Sequence, residues 1–251
     1  MDRILMFIIL NFFLNFLCAD IQRIDCSEYP LLQITPHNQG AVNYVGSRKN
    51  TAGRTQLEIL RIEGLKKDSL VLDMGCGALV GGIPIMSYLE TDHYVGVDPN
   101  RELMAASMAI PYNLSICKKK RPKFLYVDDF DASALGIRFD YVMAHSVMSH
   151  AAQYQLDLFL RNSSKVLKNG GKVIFSLRLT QPNKWGNLGA DHETNSPHWV
   201  YPQASYFHLS TILNAASRYF SEVRHVKEYT AIVTESDPTE CHDWIVATYR
   251  E

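Results

Sequence analysis

The residues most able to do chemistry are strand-end acids around one glycine-rich turn. Residues 71–82 read V-L-D-M-G-C-G-A-L-V-G-G, with Asp73 two positions before Gly75 and four before Gly77. Glycines in such a turn let the backbone approach a ligand with no Cβ in the way. Asp73, at the tip of the preceding apolar run, would face a cationic or hydroxyl-bearing group. HYVGVDP (93–99) ends in Asp98, where a carboxylate can accept two hydrogen bonds from ribose hydroxyls. A third run, PKFLYVDDF (122–130), carries Asp128 and Asp129, either of which can accept from an adenine amino group. Any one of these acids is equally a turn residue or a helix N-cap. Acids at three successive strand ends, in this order, point to a nucleoside-bearing ligand. The spacing from Gly77 to Asp98 also suits a nicotinamide dinucleotide, but Asp73 would then face the pyrophosphate and repel it. A ligand with an ammonium and a sulfonium in place of phosphates removes that conflict.

A fourth run, FDYVMAHS (139–146), delivers His145 and Ser146 to the same edge, with His150 shortly after. Histidine is the usual proton acceptor at neutral pH. His145 is the first candidate base and His150 the second; either could instead cap the following helix or pack beside the sheet. Acceptors that need no deprotonation would use neither.

These residues need a frame that brings several strand ends to one side. Apolar runs at 70–75, 93–99, 122–130, 139–146 and 172–179 alternate with helical patterns at 54–64, 101–110 and 151–171. Continuous apolar strands alternating with helices predict an α/β, Rossmann-like, doubly wound and mostly parallel sheet. Ligands in such sheets sit beyond the carboxyl ends of the strands. A helix is expected at 208–219. The last two apolar runs, VRHVKEYTAIV and WIVATY, read as an antiparallel pair with no helix between them, giving seven strands with an antiparallel strand at one edge.

Between the fifth strand and the 208–219 helix lies a segment rich in Asn, Pro, Gly, His and Trp, with Trp185, His192, Glu193, His198, Trp199 and Tyr201. Its aromatics suit a lid over a ring or sugar. The spacing of His192, Glu193 and His198 matches no standard zinc pattern, so no metal is expected. KKKRPK (118–123) reads as a solvated connection.

The chain of 251 residues carries 25 Lys+Arg against 26 Asp+Glu, a net charge of −1, which gives no global pull toward nucleic acid. Hydrophobic residues at 47% and charged residues at 20% exclude a disordered chain. Residues 4–18, ILMFIILNFFLNFLC, are short for a membrane span and have the layout of a secretory signal peptide over 1–19. That reading implies the secretory pathway or secretion. An uncleaved membrane anchor, the one route to membrane attachment, and a cytoplasmic protein are the alternatives. Residues 20–50 form an N-terminal arm and 51–251 the domain. After cleavage Cys26, Cys76, Cys117 and Cys241 remain, and at most one bridge is expected because Cys76 lies within the glycine turn. N-x-S/T sequons at Asn113 and Asn162 give weak support for secretion.

From about Gly53 to Tyr249 the sequence resembles the class I S-adenosylmethionine-dependent methyltransferases. VLDMGCG, YVGVDPN, FLYVDDF and FDYVMAHSVMSH resemble the first four motifs, and VLKNGGKVIFS the family's helix-to-strand turn. GRTQLEIL, GCGALVGG and SVMSH resemble a subgroup that methylates sugars or natural products. Leu79 stands where the family pattern has its third glycine, and Val80 where the subgroup has an Arg or similar residue. The resemblance implies S-adenosylmethionine as cofactor. It places Gly75 and Gly77 along the methionine and ribose, Asp73 near the amino group, and Asp98 on the ribose. It places Asp129, or else Asp128, on the adenine amino group, Phe130 flanking the adenine, and Ser146 near the methionyl end. Arg54, with Gln56, would close over the carboxylate. The expected activity is methyl transfer to a small-molecule or glycan-like acceptor, on oxygen rather than nitrogen or carbon. The rivals are a secreted or anchored binding module that lost turnover, an NAD-dependent oxidoreductase, and a protein or nucleic-acid methylase.

Overall fold

A computed structural model describes residues 51–180, 205–236 and 242–251. The signal-like segment, the arm, the aromatic lid, its His192–Glu193–His198 group, Cys26 and Cys241 lie outside the described residues. Helix α1 spans Thr51–Ile62, and the chain then alternates β1 (Val71–Met74), α2 (Gly82–Tyr88) and β2 (Tyr94–Val97). Helices α3 (Arg101–Met108) and α4 (Pro111–Lys120) precede β3 (Lys123–Leu125) and β4 (Phe139–Ala144). Then come α5 (Gln153–Val166), β5 (Leu167–Leu177), α6 (Leu209–Ala216), β6 (Glu222–His225), α7 (Lys227–Ser236) and β7 (Asp243–Thr248). The strands form one seven-stranded sheet in the order β3-β2-β1-β4-β5-β7-β6. Pairing is parallel from β3 through β5, and β7 runs antiparallel to both β5 and β6.

The period of two along each strand sorts side chains between two cores. Leu72, Met74, Val95, Val97, Val142 and Ala144 join one, with Leu156, Phe159 and Leu160 of α5. Val71, Tyr94, Met143 and Trp244 join the other, with Ile59 and Leu60 of α1 and Ile85 and Met86 of α2. Helices therefore cover both faces, which is why the central strands read as unbroken apolar runs.

Local chemistry sets the element ends. Gly64 takes φ +101° past α1, and Leu65 N donates to Leu60 O at 2.9 Å, closing the helix at the expected glycine. Asn100 caps α3 by accepting from Glu102 N and Leu103 N. Pro111 opens α4, whose last turn contains Lys118, Lys119 and Lys120, so half of the basic run is helix rather than connection. The 151–171 helix ends at Val166, and β5 begins at Leu167, before the glycine pair. The register shifts where Gly170, at φ +81°, lifts residues out of the ladder opposite Phe139–Tyr141.

The final antiparallel pair is β6 and β7, but α7 lies between them, contrary to expectation. Val226, Tyr229 and Ile232 recur at a helical interval and pack into the core shared with α1. The apolar run VRHVKEYTAIV reads as strand throughout; burial against α1 makes its second half a helix. Asn162 is 2% exposed, donates to Asp129 O and accepts from Lys165 Nζ. It is no glycan acceptor in the folded chain.

Candidate active site

The sheet order reverses between β1 and β4, opening a crevice at the carboxyl ends of β1, β2 and β4. A cleft of about 760 Å³ occupies it. Asp73, Gly75, Gly77, Asp98, Asp128, Phe130, His145, Ser146 and His150 all line it. Gln56, Asn100 and Gln155 join them.

The turn after β1 is tied to the end of β2: Gly75 N and Cys76 N both donate to Val97 O, at 2.7 and 3.1 Å. Gly75 has φ +74°, and a Cβ there would lie 2.3 Å from Val147 Cγ2. Gly77 has φ +48° and opens toward Asp98. Leu79 takes φ +58°, the conformation a glycine would adopt without cost. Left-handed backbone costs a residue with Cβ ~1–2 kcal/mol. Leu79 is 1% exposed, and its burial offsets that cost, so the turn closes without the third glycine. Phe130 at φ +60° and Ser146 at φ +59° share the conformation, so unfavourable backbone gathers around the cleft.

Asp98 accepts from Gly77 N at 2.9 Å through Oδ2 and from Asn100 N at 2.8 Å through Oδ1. Burial raises its pKa above the ordinary value, and these two bonds work against the rise. Asp73 is 4% exposed, and its Oδ2 accepts from Tyr94 Oη at 2.5 Å. Burial lifts the Asp73 pKa to about 7; the Tyr94 bond opposes the rise and the Asp98 charge adds to it. Cys76 is a buried free thiol whose pKa burial pushes well up, with the Asp73 and Asp98 charges adding.

His145 emerges from β4 with its ring held on several sides. Gln56 Nε2 lies 3.0 Å from Nδ1, the ring stacks on Trp244 at 5.3 Å, and His242 meets it edge-on at 5.5 Å. Gln56 reaches this place only because Gly81 has no side chain: a Cβ there would sit 1.9 Å from Gln56 Oε1. Gly53 likewise admits Val80 O, bringing α1 onto the glycine loop. Ser146 N donates to Ser176 Oγ at 2.8 Å, fixing the β4 exit.

Two expected residues stand apart. Asp129 does not line the cleft; its Oδ1 accepts from Asp131 N and its carbonyl from Asn162 Nδ2, so it shapes the loop while Asp128 faces the cleft. Arg54 is exposed and outside the lining, because the helical turn that brings Gln56 inward carries Arg54 out. Tyr94, Gln155 and the Trp244–His242 backing had no signal in the sequence beyond being apolar or helical positions.

Residues 72–173 match the family model described as a methyltransferase domain. Solved structures share the architecture at low identity. Phosphoethanolamine N-methyltransferase 2 of Haemonchus contortus, in complex with phosphomonomethylethanolamine and S-adenosylhomocysteine, is 19% identical with a TM-score of 0.55. That alignment covers 78% of this chain and 53% of the other. Magnesium protoporphyrin IX methyltransferase from Synechocystis PCC 6803, with bound S-adenosylhomocysteine, is 15% identical with a TM-score of 0.57, covering 87% and 89%. Human N-acetylserotonin methyltransferase in complex with S-adenosylmethionine is 15% identical with a TM-score of 0.58, covering 85% and 57%. The chain thus spans little more than half the length of the nematode and human proteins. The chain has the class I S-adenosylmethionine-dependent methyltransferase fold.

Proposed function

We propose that the protein transfers a methyl group from S-adenosylmethionine to an oxygen atom of a small-molecule acceptor. The observation that carries this is the convergence of Asp73, Asp98 and Asp128 on one cleft around a glycine turn. The cleft suits a nucleoside with a cationic arm: Asp98 for the ribose hydroxyls, Asp128 for the adenine amino group, Asp73 for the ammonium. A dinucleotide would bring its pyrophosphate against the buried Asp73 carboxylate, which disfavours NAD. The matched structures support the cofactor assignment, being complexes with S-adenosylmethionine or its demethylated product. Their acceptors differ, so the acceptor reading rests on this chain's own residues.

Bound S-adenosylmethionine supplies an already activated methyl group, so the protein's part is alignment, water exclusion and proton removal. His145 takes the acceptor proton. With the NH2 of Gln56 facing Nδ1, the neutral ring carries its proton on Nε2. With that amide turned by half, its carbonyl holds the proton on Nδ1 and leaves Nε2 basic. Proton removal uses the second arrangement, and the stacked Trp244 keeps the ring plane fixed.

The test is a thermal-shift series with S-adenosylmethionine, S-adenosylhomocysteine and NAD, followed by an acceptor screen with labelled donor. Stabilisation by the first two alone is expected. A shift with NAD alone would replace the reading with an oxidoreductase, and cofactor binding with no acceptor turned over would favour a binding module. His145→Ala should slow turnover at least tenfold while cofactor affinity stays within about twofold; unchanged turnover would remove His145 as the base.

A further inference from the structure

We propose that Tyr94 is a positioning residue of the cofactor site, whose phenol fixes the Asp73 carboxylate toward the amino-acid arm of the bound nucleoside. The inference rests on the cofactor reading above and adds a residue to it. Tyr94 opens β2, and its register partner on β1 is Val71. Asp73 lies two residues further on the same face, a rise of about 6.6 Å. The Tyr94 side chain spans that interval and donates to Asp73 Oδ2 at 2.5 Å, leaving Oδ1 for the cleft that Asp73 lines.

The route of the phenol is built into α2. A Cβ on Gly82 would lie 2.4 Å from Tyr94 Oη and 3.1 Å from Cζ. Gly82 has no left-handed φ to account for it; what it provides is room for this hydroxyl. The ring is 2% exposed, so water does not compete for the bond.

Among the described residues, few charged or titratable groups surround Asp73: Tyr94 comes from β2, Asp98 from the loop after β2 and Cys76 from the glycine turn, while Asp128, His145 and His150 line the same cleft. Burial and Asp98 both favour the protonated acid, and Tyr94 opposes them. An ammonium binds the ionised form, so affinity for the amino-acid arm rises as pH climbs through about 7 and levels above it. A hydrogen bond to an ionised group corresponds to roughly one to two pH units, so Tyr94→Phe should move that midpoint up by this amount.

The experiment titrates the full chain with S-adenosylhomocysteine and with methylthioadenosine, which lacks the amino-acid arm, from about pH 5 to about pH 9, roughly two units either side of 7. The ratio of the two affinities isolates Asp73 from Asp98, because both ligands carry the ribose. For Tyr94→Phe at pH near 7 we expect roughly tenfold weaker S-adenosylhomocysteine binding, unchanged methylthioadenosine binding, and an upward-shifted ratio curve. A ratio curve superimposed on wild type overturns the proposal. If Tyr94→Phe does not fold, Asp73→Asn decides: its ratio should be flat with pH, and a retained step overturns the proposal. If wild type binds neither ligand at any pH, the cofactor reading itself falls and this inference with it.

Discussion

Two buried carboxylates in this chain accept a hydrogen bond from a tyrosine at the same distance and are driven in opposite directions. Tyr94 Oη lies 2.5 Å from Asp73, and Tyr229 Oη lies 2.5 Å from Glu63. Among the described residues no cation lies against Asp73, and burial with the neighbouring Asp98 charge lifts its pKa to about 7. Burial would raise Glu63 as well. There, hydrogen bonds from Lys172, Tyr229 and Arg224 outweigh it and hold the acid below the ordinary carboxylate value. The phenols are alike; the cations make the difference.

The two sites do different work. Glu63, just past α1, accepts from Lys172 Nζ of β5 at 2.8 Å and from Arg224 Nη2 of β6 at 2.9 Å. Its carbonyl also accepts from Tyr141 Oη of β4 at 3.0 Å. It fastens α1 to three strands and to α7, and so holds Gln56 over the cleft. Asp73 and Asp98 fasten no second helix; they leave buried negative charge facing an opening. A protein retains such charge at a stability cost where a ligand meets it.

The largest expected effect is at the fastening site. Glu63→Ala strands two cations, and removing one partner of a buried pair costs ~3–5 kcal/mol. Lys172 and Arg224 keep 26% and 41% side-chain exposure, so about 3 kcal/mol is expected by urea unfolding. Cofactor affinity should stay within a few-fold; a collapse would mean that the two sites are one unit. Because the Glu63 pKa is depressed, its contribution is present above the ordinary value of ~4.3 and is lost as pH falls through the depressed one.

Asp98→Ala should show the reverse profile. Losing hydrogen bonds to an ionised group should weaken cofactor binding by ~1.5–3 kcal/mol, roughly tenfold to a hundredfold by calorimetry. The ligand-free protein should lose less stability than Glu63→Ala does, because Gly77 N and Asn100 N lose an acceptor but no cation is stranded among the described residues. An unchanged affinity would remove Asp98 from the ribose.

The smallest effect is a gain. Asp73 has a folded pKa raised above its unfolded value, so its contribution is full below the unfolded value and is lost as pH rises through about 7. Asp73→Asn mimics the protonated acid. It should stabilise the ligand-free protein by ~1–3 kcal/mol in alkaline buffer (about one unit above 7), a gain that shrinks as pH falls and vanishes only below the unfolded carboxylate value of ~3.9. No gain would mean that the carboxylate is already paired, and the contrast with Glu63 would dissolve.

Legibility in the sequence followed the range of the forces involved. The unbroken strands, the glycine turn and the acids at 73, 98 and the 128–129 pair were readable because each is a local pattern repeated in order. Where two local patterns competed, long-range packing chose. It made 227–236 a helix, started β5 at Leu167, and turned Asp128 rather than Asp129 to the cleft. Leu79 looked like a departure from a glycine pattern, yet it adopts the glycine's backbone because its side chain is buried.

Alternating apolar runs and strand-end acids are written in adjacent residues, so chain order alone settled the α/β class and the edge of the sheet that carries the cleft. Partners far apart in sequence meet only when the sheet and helices close, so neither pairing of a buried acid was visible in advance. Gln56 meets His145 across 89 positions, and Glu63 meets Arg224 across 161. Tyr94 reaches Asp73 only through the register of two strands and the bare Gly82 above them. Charge and donor supply at a buried carboxylate are properties of that assembled neighbourhood, and so is the difference between an acid that fastens the fold and one that waits for a ligand.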